Sequence, residues 1–260
     1  MYGQITMLKQ ITLTAAALLF ASGANAAVIS GSSLQNELDS RSYDADGNSI
    51  SFLDVNADQQ MPDEVFTFGS TGGAISRLLF EFAGYAPNTS FGIYDVNDID
   101  NKLEIFAGSN DANDLAVTLD ISGTNFLTSW AYSDTTGTQT GSDSALFSSE
   151  AFGFYIHSNA TNYFYSEQSQ NADGIDHMAT FEGGTGIFLD ALNNGFDLGD
   201  EFLANEYLLA FEDLPGGGDF DYTDFVVLVE SINPIPVPAT LALFGLGLVG
   251  LGFSAKKKSK

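Results

Sequence analysis

Cysteine is absent from the 260 residues of this sequence. Its absence excludes a disulfide framework, catalysis by a thiolate, and zinc or iron–sulfur sites built on cysteine ligands. It does not indicate the cytosol, because an exported domain of this size can form a hydrophobic core without cross-links. The composition supports such a core, since 44% of the residues are hydrophobic and 22 are phenylalanine.

Basic residues are also scarce. Eight lysines and arginines stand against 34 aspartates and glutamates, and between Glu37 and Glu230 only Arg41, Arg77 and Lys102 offset all 34 acids. Such a charge repels nucleic-acid phosphates and attracts divalent cations, which argues against a nucleic-acid partner. It also suits a protein in salty surroundings, where screening weakens self-repulsion. Composition alone does not separate cation binding from this second explanation.

The first 26 residues have the pattern of a secretory signal peptide. Lys9 is the only charge, residues 11–20 are mostly apolar, and Ala24 and Ala26 supply the small residues of an A-x-A cleavage site. The pattern predicts export with cleavage after Ala26. A start at Met7 would give a more typical short charged segment before the apolar run.

Residues 233–260 combine a proline motif, a short apolar run and a basic end. Pro236, Val237 and Pro238 favour a rigid, extended segment. Residues 239–255 carry no charge and are about as long as the shortest helix that spans a bilayer, and four lysines follow. The tail is therefore predicted to hold the chain at the inner membrane while a processing enzyme finds the motif. A permanent membrane anchor is the alternative.

This tail resembles the PEP-CTERM sorting signal, whose pattern is Val-Pro-Glu-Pro, a short transmembrane stretch and a basic cluster. Val237 stands where that pattern usually has glutamate. The resemblance implies processing by an exosortase-type transpeptidase, and a setting of exopolysaccharide production and biofilm formation.

Residues 27–232 show the period-two alternation of β-strands. The segment "RLLFEF" places Leu78, Phe80 and Phe82 on one face, and alternate residues of 225–229 share a face in the same way. Further strand candidates are "EVFTF", "SFGIYDV", "KLEIF", "LAVTLDI", "FLTSWAY", "AFGFYIHS", "YFYSE", "MATFEG" and "EYLLAFED". The pattern predicts an all-β fold, a single antiparallel, jelly-roll-like β-sandwich.

Two local features refine this prediction. The segment "GIYDVNDIDNKLEIF" is expected to form a hairpin whose loop lies between Asp95 and Asn101, and "SSLQNELDS" around Leu34 is expected to form a short helix. No internal repeat or linker divides the region, so the predicted domains are 1–26, 27–232 and 233–260.

The central region resembles the domain of unknown function 4114. The resemblance lies in "FGIYD" from Phe91, "AFGFYIHS" from Ala151, "NADGIDHMATFEG" from Asn171 and "LAFEDLPGGGDFDYTDFVVLVE" from Leu209. These motifs span most of the mature chain. The resemblance implies no activity, since the family is named for the lack of a known one.

The densest group of acidic residues lies in "FEDLPGGGDFDYTDF". Glu212 and Asp213 end one predicted strand, and Asp219, Asp221 and Asp224 precede the next. A hairpin would bring these carboxylates together, where they repel one another unless a cation intervenes. Calcium takes six to eight oxygen ligands in loose geometry, so the sequence predicts a calcium site here. The alternative is a solvated acidic turn.

Other motifs carry a weaker signal. "LPGGGD" lacks the lysine, the hydroxyl residue and the helix of a phosphate-binding loop. The loop from Asp44 has Ser49 and Val55 where an EF-hand needs glycine and glutamate, and the loop from Asp95 also lacks the glycine. A looser cation site in either loop stays open.

The two histidines, His157 and His177, do not form a recognisable catalytic motif. Asp173 and Asp176 lie close to His177 in sequence and could orient it or share a metal, but no Gly-x-Ser-x-Gly elbow accompanies it. We therefore expect structural histidines and assign no catalytic or further cofactor-binding residue.

Aromatic residues leave sugar binding open. Trp130, Tyr132, Tyr163 and Tyr165 could stack on sugar rings, or could lie in the core by alternation. A glycosidase needs only two suitably spaced carboxylates. The leading hypothesis is an exported, non-enzymatic, calcium-binding surface or matrix protein. A carbohydrate-binding or adhesive module is the first alternative, and a secreted glycoside-acting enzyme the second.

Overall fold

Short antiparallel strands form most of the regular structure. The structure, a computed structural model, describes residues 26–80, 88–190, 192, 194–197 and 201–236. In chain order its elements are α1 (Ser33–Ser40), β1 (Ser42–Tyr43), β2 (Phe66–Phe68), β3 (Gly73–Phe80), β4 (Ser90–Asp95), β5 (Asp98–Phe106), β6 (Leu115–Asp120), β7 (Phe126–Tyr132), β8 (Gln139–Leu146), β9 (Phe152–Ser158), β10 (Asn162–Tyr165), β11 (Met178–Glu182), β12 (Phe188–Leu189), β13 (Glu206–Phe211), β14 (Phe225–Glu230) and β15 (Ile232–Pro234). Single 3-10 turns occupy Ile121–Gly123, Gln168–Gln170 and Pro215–Gly217.

These strands form two large sheets. One has the order β15-β2-β9-β4-β5, with β10 also paired to β9, and the other has the order β11-β13-β14-β3-β6-β7-β8. A third, two-stranded sheet pairs β1 with β12. The inner faces of the two large sheets share one hydrophobic core, so the predicted antiparallel β-sandwich is confirmed.

Phenylalanine rings join the two sheets at the centre of this core. Phe91 of β4 stacks on Phe154 of β9, with ring centroids 5.6 Å apart. The same ring stacks on Phe225 of β14, in the facing sheet, at 5.5 Å. Stacked aromatic pairs contribute about 0.5–1.5 kcal/mol beyond the area they bury. Phenylalanine, which is abundant in the sequence, thus forms the contact between the two sheets at the centre of the core.

The larger sheet is buried on its second face as well. Helix α1 places Leu34 and Leu38, one turn apart, in a second hydrophobic core together with Val226 and Leu228 of β14. Because β14 is covered on both sides, its sequence "FVVLV" is an almost continuous apolar run rather than a strict alternation.

The predicted face assignment is confirmed for β14 and wrong for β3. The alternate residues of 225–229 all lie in the core between the sheets, and Leu78 lies with them. Phe80 lies in the second core instead. Adjacent residues of β14 pair with Leu78 and Phe80, which leaves Leu79 as the extra residue of a β-bulge. Phe82 lies outside the described residues.

The predicted helix and the predicted hairpin both form. The helix spans Ser33–Ser40. The β4–β5 loop is shorter than predicted, because Asp95 already pairs with Asp98 and only Val96 and Asn97 remain between the strands. Strand β8, "QTGSDSAL", is absent from the sequence prediction because it is a largely exposed edge strand with no apolar alternation.

Glycines allow tyrosine rings to lie close against the outer face of the six-stranded sheet. A Cβ at Gly153 would lie 2.4 Å from the ring of Tyr94, and one at Gly92 would lie 2.8 Å from the ring of Tyr155. The hydroxyl of Tyr94 donates a hydrogen bond of 2.7 Å to Glu167. These tyrosines therefore cover the sheet on the side away from the phenylalanine core.

Most of both predicted targeting segments lies outside the described residues. This holds for Ala24, Val237 and Pro238, so the cleavage site and the apolar run stay predictions. Pro236 is described and exposed, and it follows Ile235, whose N–H donates to the carbonyl of Val65 at 2.8 Å. None of the helices in the described ranges is long and apolar enough to cross a membrane.

Candidate metal centre

The predicted acidic residues lie in the connection between β13 and β14, which we call the acidic turn (residues 212–224). The two strands pair from Glu206–Glu230 to Phe211–Phe225, so the turn closes a hairpin. Pro215–Gly217 forms a 3-10 turn at its middle. The hairpin brings the residues after β13 back to those before β14, as the sequence predicts.

Glu212 is the centre of the acidic turn. Its carboxylate lies within 4.8 Å of ligand oxygens of Asp213 and Asp224, and within the same distance of those of Asp219 and Asp221. The five predicted residues therefore form two groups that share Glu212. In the described part of the chain these are the only groups of three or more such ligands at this spacing.

Burial differs between the two groups. Glu212 is fully buried and Asp213 is 2% exposed, while Asp224 is half-buried. In the other group Asp219 is exposed and Asp221 is half-buried. The first group is therefore an inner set of ligands, and the second is an outer set that faces solvent.

The carboxyl of Glu212 lies among other carboxyls, and that of Asp224 is close enough to share a proton with it. Both of its carboxylate oxygens are buried and neither accepts a hydrogen bond within the described residues. Burial, together with the neighbouring Asp224, raises the pKa of Glu212 to about 9. Burial and Asp224 also raise the pKa of Asp213 to about 7. Without a cation, this group holds protons that isolated carboxylates would have lost.

Three aspartates of the acidic turn each accept hydrogen bonds with one carboxylate oxygen, and these bonds stabilise the local structure. Asp213 accepts a hydrogen bond from the hydroxyl of Ser158 at 3.2 Å, and Asp224 accepts one from the N–H of Asp213 at 2.9 Å. Asp221 accepts two from Thr223 with a single oxygen, at 3.0 and 2.7 Å. No donor group of the described residues hydrogen-bonds to the second oxygen of these aspartates, so this oxygen is available to a cation.

Glycine at position 218 allows the turn to close on Glu212. Its φ is +50°, a conformation that residues with a side chain rarely adopt. A Cβ there would lie 2.2 Å from Oε1 of Glu212. The sequence "PGGG" is thus explained by close packing on the central carboxylate as well as by the bend.

His177 fixes the start of the acidic turn. Its ring is fully buried; Nδ1 is 2.9 Å from the carbonyl oxygen of Glu212, and Nε2 is 3.0 Å from Oδ2 of Asp173. The same Asp173 oxygen accepts from the N–H of Gly216 at 2.8 Å. With both nitrogens engaged, His177 has the structural role that we expect. Asp173 orients the His177 ring. The side chain of Asp176 instead accepts a hydrogen bond from the backbone N–H of Met178.

In the two other acidic loops, which begin at Asp44 and Asp95, the first carboxylate accepts hydrogen bonds from its own loop or from a neighbouring one. Asp44 accepts hydrogen bonds from the backbone of Asp46 and from Asn48. Asp95 accepts from Asn97 and from both the N–H and the hydroxyl of Ser148. Both aspartates therefore stabilise turns.

Two of the four aromatic candidates for sugar stacking, Tyr163 and Tyr165, lie against each other and against neighbouring side chains. Tyr163, 40% exposed, has one face against His157, with ring centroids 4.0 Å apart. The ammonium of Lys102 lies 4.6 Å from the centre of the Tyr163 ring and 5.5 Å from that of Tyr165. Trp130 and Tyr132 are half-buried in β7.

A cleft lies apart from these aromatic residues. Its volume is about 220 Å³, and its lining includes hydroxyl, amide and carboxylate side chains and one aromatic ring. The side chains that provide these groups are those of Thr67, Phe68, Ser70, Asp120, Asn125, Ser149 and Glu150.

Comparison with known proteins identifies two regions of the chain. Residues 135–231 match the family model described as domain of unknown function (DUF4114), and residues 234–258 match the PEP-CTERM protein-sorting motif. The first match contains the acidic turn and the motifs from Ala151, Asn171 and Leu209, whereas "FGIYD" from Phe91 lies outside it. No curated protein and no solved structure matches the chain.

The sorting motif determines the destination of the protein. It implies export, C-terminal processing by an exosortase, and a surface or extracellular location. This match confirms the prediction that the chain carries a sorting signal processed by an exosortase.

Proposed function

We propose that this PEP-CTERM protein is a non-enzymatic component of the cell surface or extracellular matrix that binds calcium at the acidic turn. The observation that carries the proposal is Glu212, a fully buried carboxylate whose two oxygens accept no hydrogen bond from any donor in the described ranges. A buried charge is costly unless it is paired or coordinates a metal. The described arginines and lysine form no ion pair with the acidic turn.

The donor set suits calcium better than other common metals. It consists of carboxylate oxygens without histidine or cysteine, and hard oxygen ligands are those that calcium prefers. Calcium accepts irregular geometry, which a glycine-rich turn supplies, whereas magnesium demands a near-ideal octahedron. A divalent cation would replace the protons that the carboxylates otherwise hold.

An extracellular polymer layer provides the setting for this function. The exported protein meets calcium outside the cell and would contribute a calcium-stabilised β-sandwich to an exopolysaccharide matrix. In this proposal the hydrophobic tail anchors the chain in the inner membrane only until the exosortase has acted.

Thermal unfolding of the full chain tests the calcium site. We expect millimolar calcium to raise the unfolding temperature relative to a chelator, and magnesium at matched ionic strength to raise it less. Calcium at 100 times its dissociation constant adds about 2.7 kcal/mol to the free energy of unfolding by mass action. Glu212→Gln should lose this calcium response and should unfold no earlier than wild type in chelator, because a neutral amide replaces a buried carboxyl that must take up a proton on folding at neutral pH.

The double variant Asp98→Asn, Asp100→Asn is the matched control. It removes two exposed charges on the β4–β5 hairpin and should keep the full calcium response. An equal response of wild type and Glu212→Gln would contradict the proposal. The acidic turn would then be a network of protonated carboxyls, and sugar binding, with the cleft beside Phe68 as its site, would become the leading function.

A further inference from the structure

We infer that the acidic turn binds two divalent cations, an inner and an outer one, with the carboxylate of Glu212 as the ligand common to both. The inference rests on the proposed calcium function and adds a second, solvent-facing metal site. The inner site consists of Glu212, Asp213 and Asp224, and the outer site of Glu212, Asp219 and Asp221.

The geometry separates the ligands into these two sets. Ligand oxygens within each set lie within 4.8 Å of one another, and Glu212 is the one residue that belongs to both sets. Glu212 has two oxygens, and both are buried without a hydrogen-bond donor among the described residues. A single cation bound on one side would leave the carboxylates on the other side uncompensated. Two cations give every carboxylate of the turn a positive partner.

The number of carboxylates at the acidic turn also supports two bound cations. Five carboxylates meet at the acidic turn, and one divalent cation would offset fewer than half of their charges when all are ionised. Like charges at such distances are unfavourable at low dielectric. Carboxylates that bridge two divalent ions, by contrast, lose their mutual repulsion because a cation lies between them.

The two sites differ in their access to solvent. The inner site is enclosed, because Glu212 and Asp213 are buried and Gly218 packs against the Glu212 carboxylate. The outer site is open, because Asp219 is exposed. Calcium needs six to eight oxygens, so water must complete much of the outer coordination shell. The outer cation is therefore the one that exchanges readily and can accept an oxygen ligand from outside the protein.

Calorimetric titration of the metal-free full chain with calcium tests the stoichiometry. We expect two ions per wild-type chain and one per chain for Asp219→Asn, Asp221→Asn. Asparagine at 221 retains the oxygen that accepts from Thr223, so this variant keeps the local turn. Asp98→Asn, Asp100→Asn makes the same charge change elsewhere and should still bind two ions.

Terbium luminescence provides a readout that does not depend on stability. Lifetimes in H₂O and D₂O report the number of water molecules on each bound ion. Wild type should show two lifetimes, and the Asp219→Asn, Asp221→Asn variant should lose the shorter one, which belongs to the more hydrated outer ion.

The outcomes distinguish this inference from the proposed function. One calcium ion per wild-type chain, or loss of all binding in the Asp219→Asn, Asp221→Asn variant, would overturn the two-cation arrangement while leaving a single calcium site. No calcium binding by wild type would overturn both. A single terbium lifetime in wild type would contradict the separation into enclosed and open sites.

Discussion

At the scale of single residues, the most informative groups are carboxyls buried away from basic partners. Glu212 is one of them, and Asp63 is another: it is 3% exposed, and its Oδ2 has no hydrogen-bond partner in the part of the chain that the structure describes. Burial, then the charges of Asp176 and Glu64, raise the pKa of Asp63 to about 8. Asp63 lies outside the two ligand groups of the acidic turn, so its ionisation affects stability through its burial and the neighbouring charges of Asp176 and Glu64.

Asp63 should make the protein less stable as the pH rises. Its folded pKa lies above the usual value of 3.8, so its contribution is complete in acid and is lost as the pH rises towards about 8. Each unit of pKa difference corresponds to about 1.4 kcal/mol. We expect the stability of Asp63→Asn relative to wild type to rise by about 1–3 kcal/mol between pH 5 and pH 9. Urea unfolding in chelator at both pH values measures this difference.

The control for this prediction is Asp98→Asn, which removes an exposed carboxylate. Its stability should run parallel to that of wild type across the same pH range. If the Asp63→Asn curve also ran parallel to wild type, Asp63 would be ionised in the folded protein, contrary to its burial.

At the scale of helices and strands, the sequence predicted where most strands lie but not how they pair. Period-two alternation and turn residues located most strands of the two large sheets, and the acidic turn followed from two strands joined by "PGGG". The bulge at Leu79 and the edge strand β8 could not be predicted, because the first depends on pairing between distant strands and the second has no apolar pattern. The central role of Glu212 depends on burial, which an acidic sequence does not reveal.

The packing of tyrosines on the six-stranded sheet gives a prediction at this scale. Gly153→Ala would place a Cβ 2.4 Å from the Tyr94 ring, and the displaced ring would lose its hydrogen bond to Glu167. Overpacking of this kind costs about 1–3 kcal/mol, which should appear in chemical denaturation. Gly141→Ala, in strand β8, is the matched control: its nearest atom is 3.9 Å away, so its stability should stay close to that of wild type. Equal stabilities of the two variants would show that Tyr94 is not constrained by Gly153.

At the scale of the whole molecule, the large negative charge is to be understood together with export from the cell. Targeting signals are linear motifs that a sequence can show directly; the sorting motif is confirmed at residues 234–258, and the signal peptide stays a prediction. The formal charge of −26 keeps such an exported protein soluble, but it also opposes compaction. The acidic turn concentrates this repulsion at one place, where bound cations would relieve it, and the remaining acids depend on screening by salt.

The charge of the whole molecule predicts a dependence of stability on ionic strength that is separate from calcium binding. In chelator, sodium chloride should raise the unfolding temperature, with most of the rise below about 0.3 M, where the Debye length falls to about 6 Å. Choline chloride at equal ionic strength should have the same effect, because screening does not depend on the identity of the cation. Glu212→Gln should show a similar dependence, since it changes one charge among 34 acidic residues. A rise with sodium but not with choline would instead indicate bound sodium ions, and an unfolding temperature independent of salt would mean that the negative charges do not oppose folding.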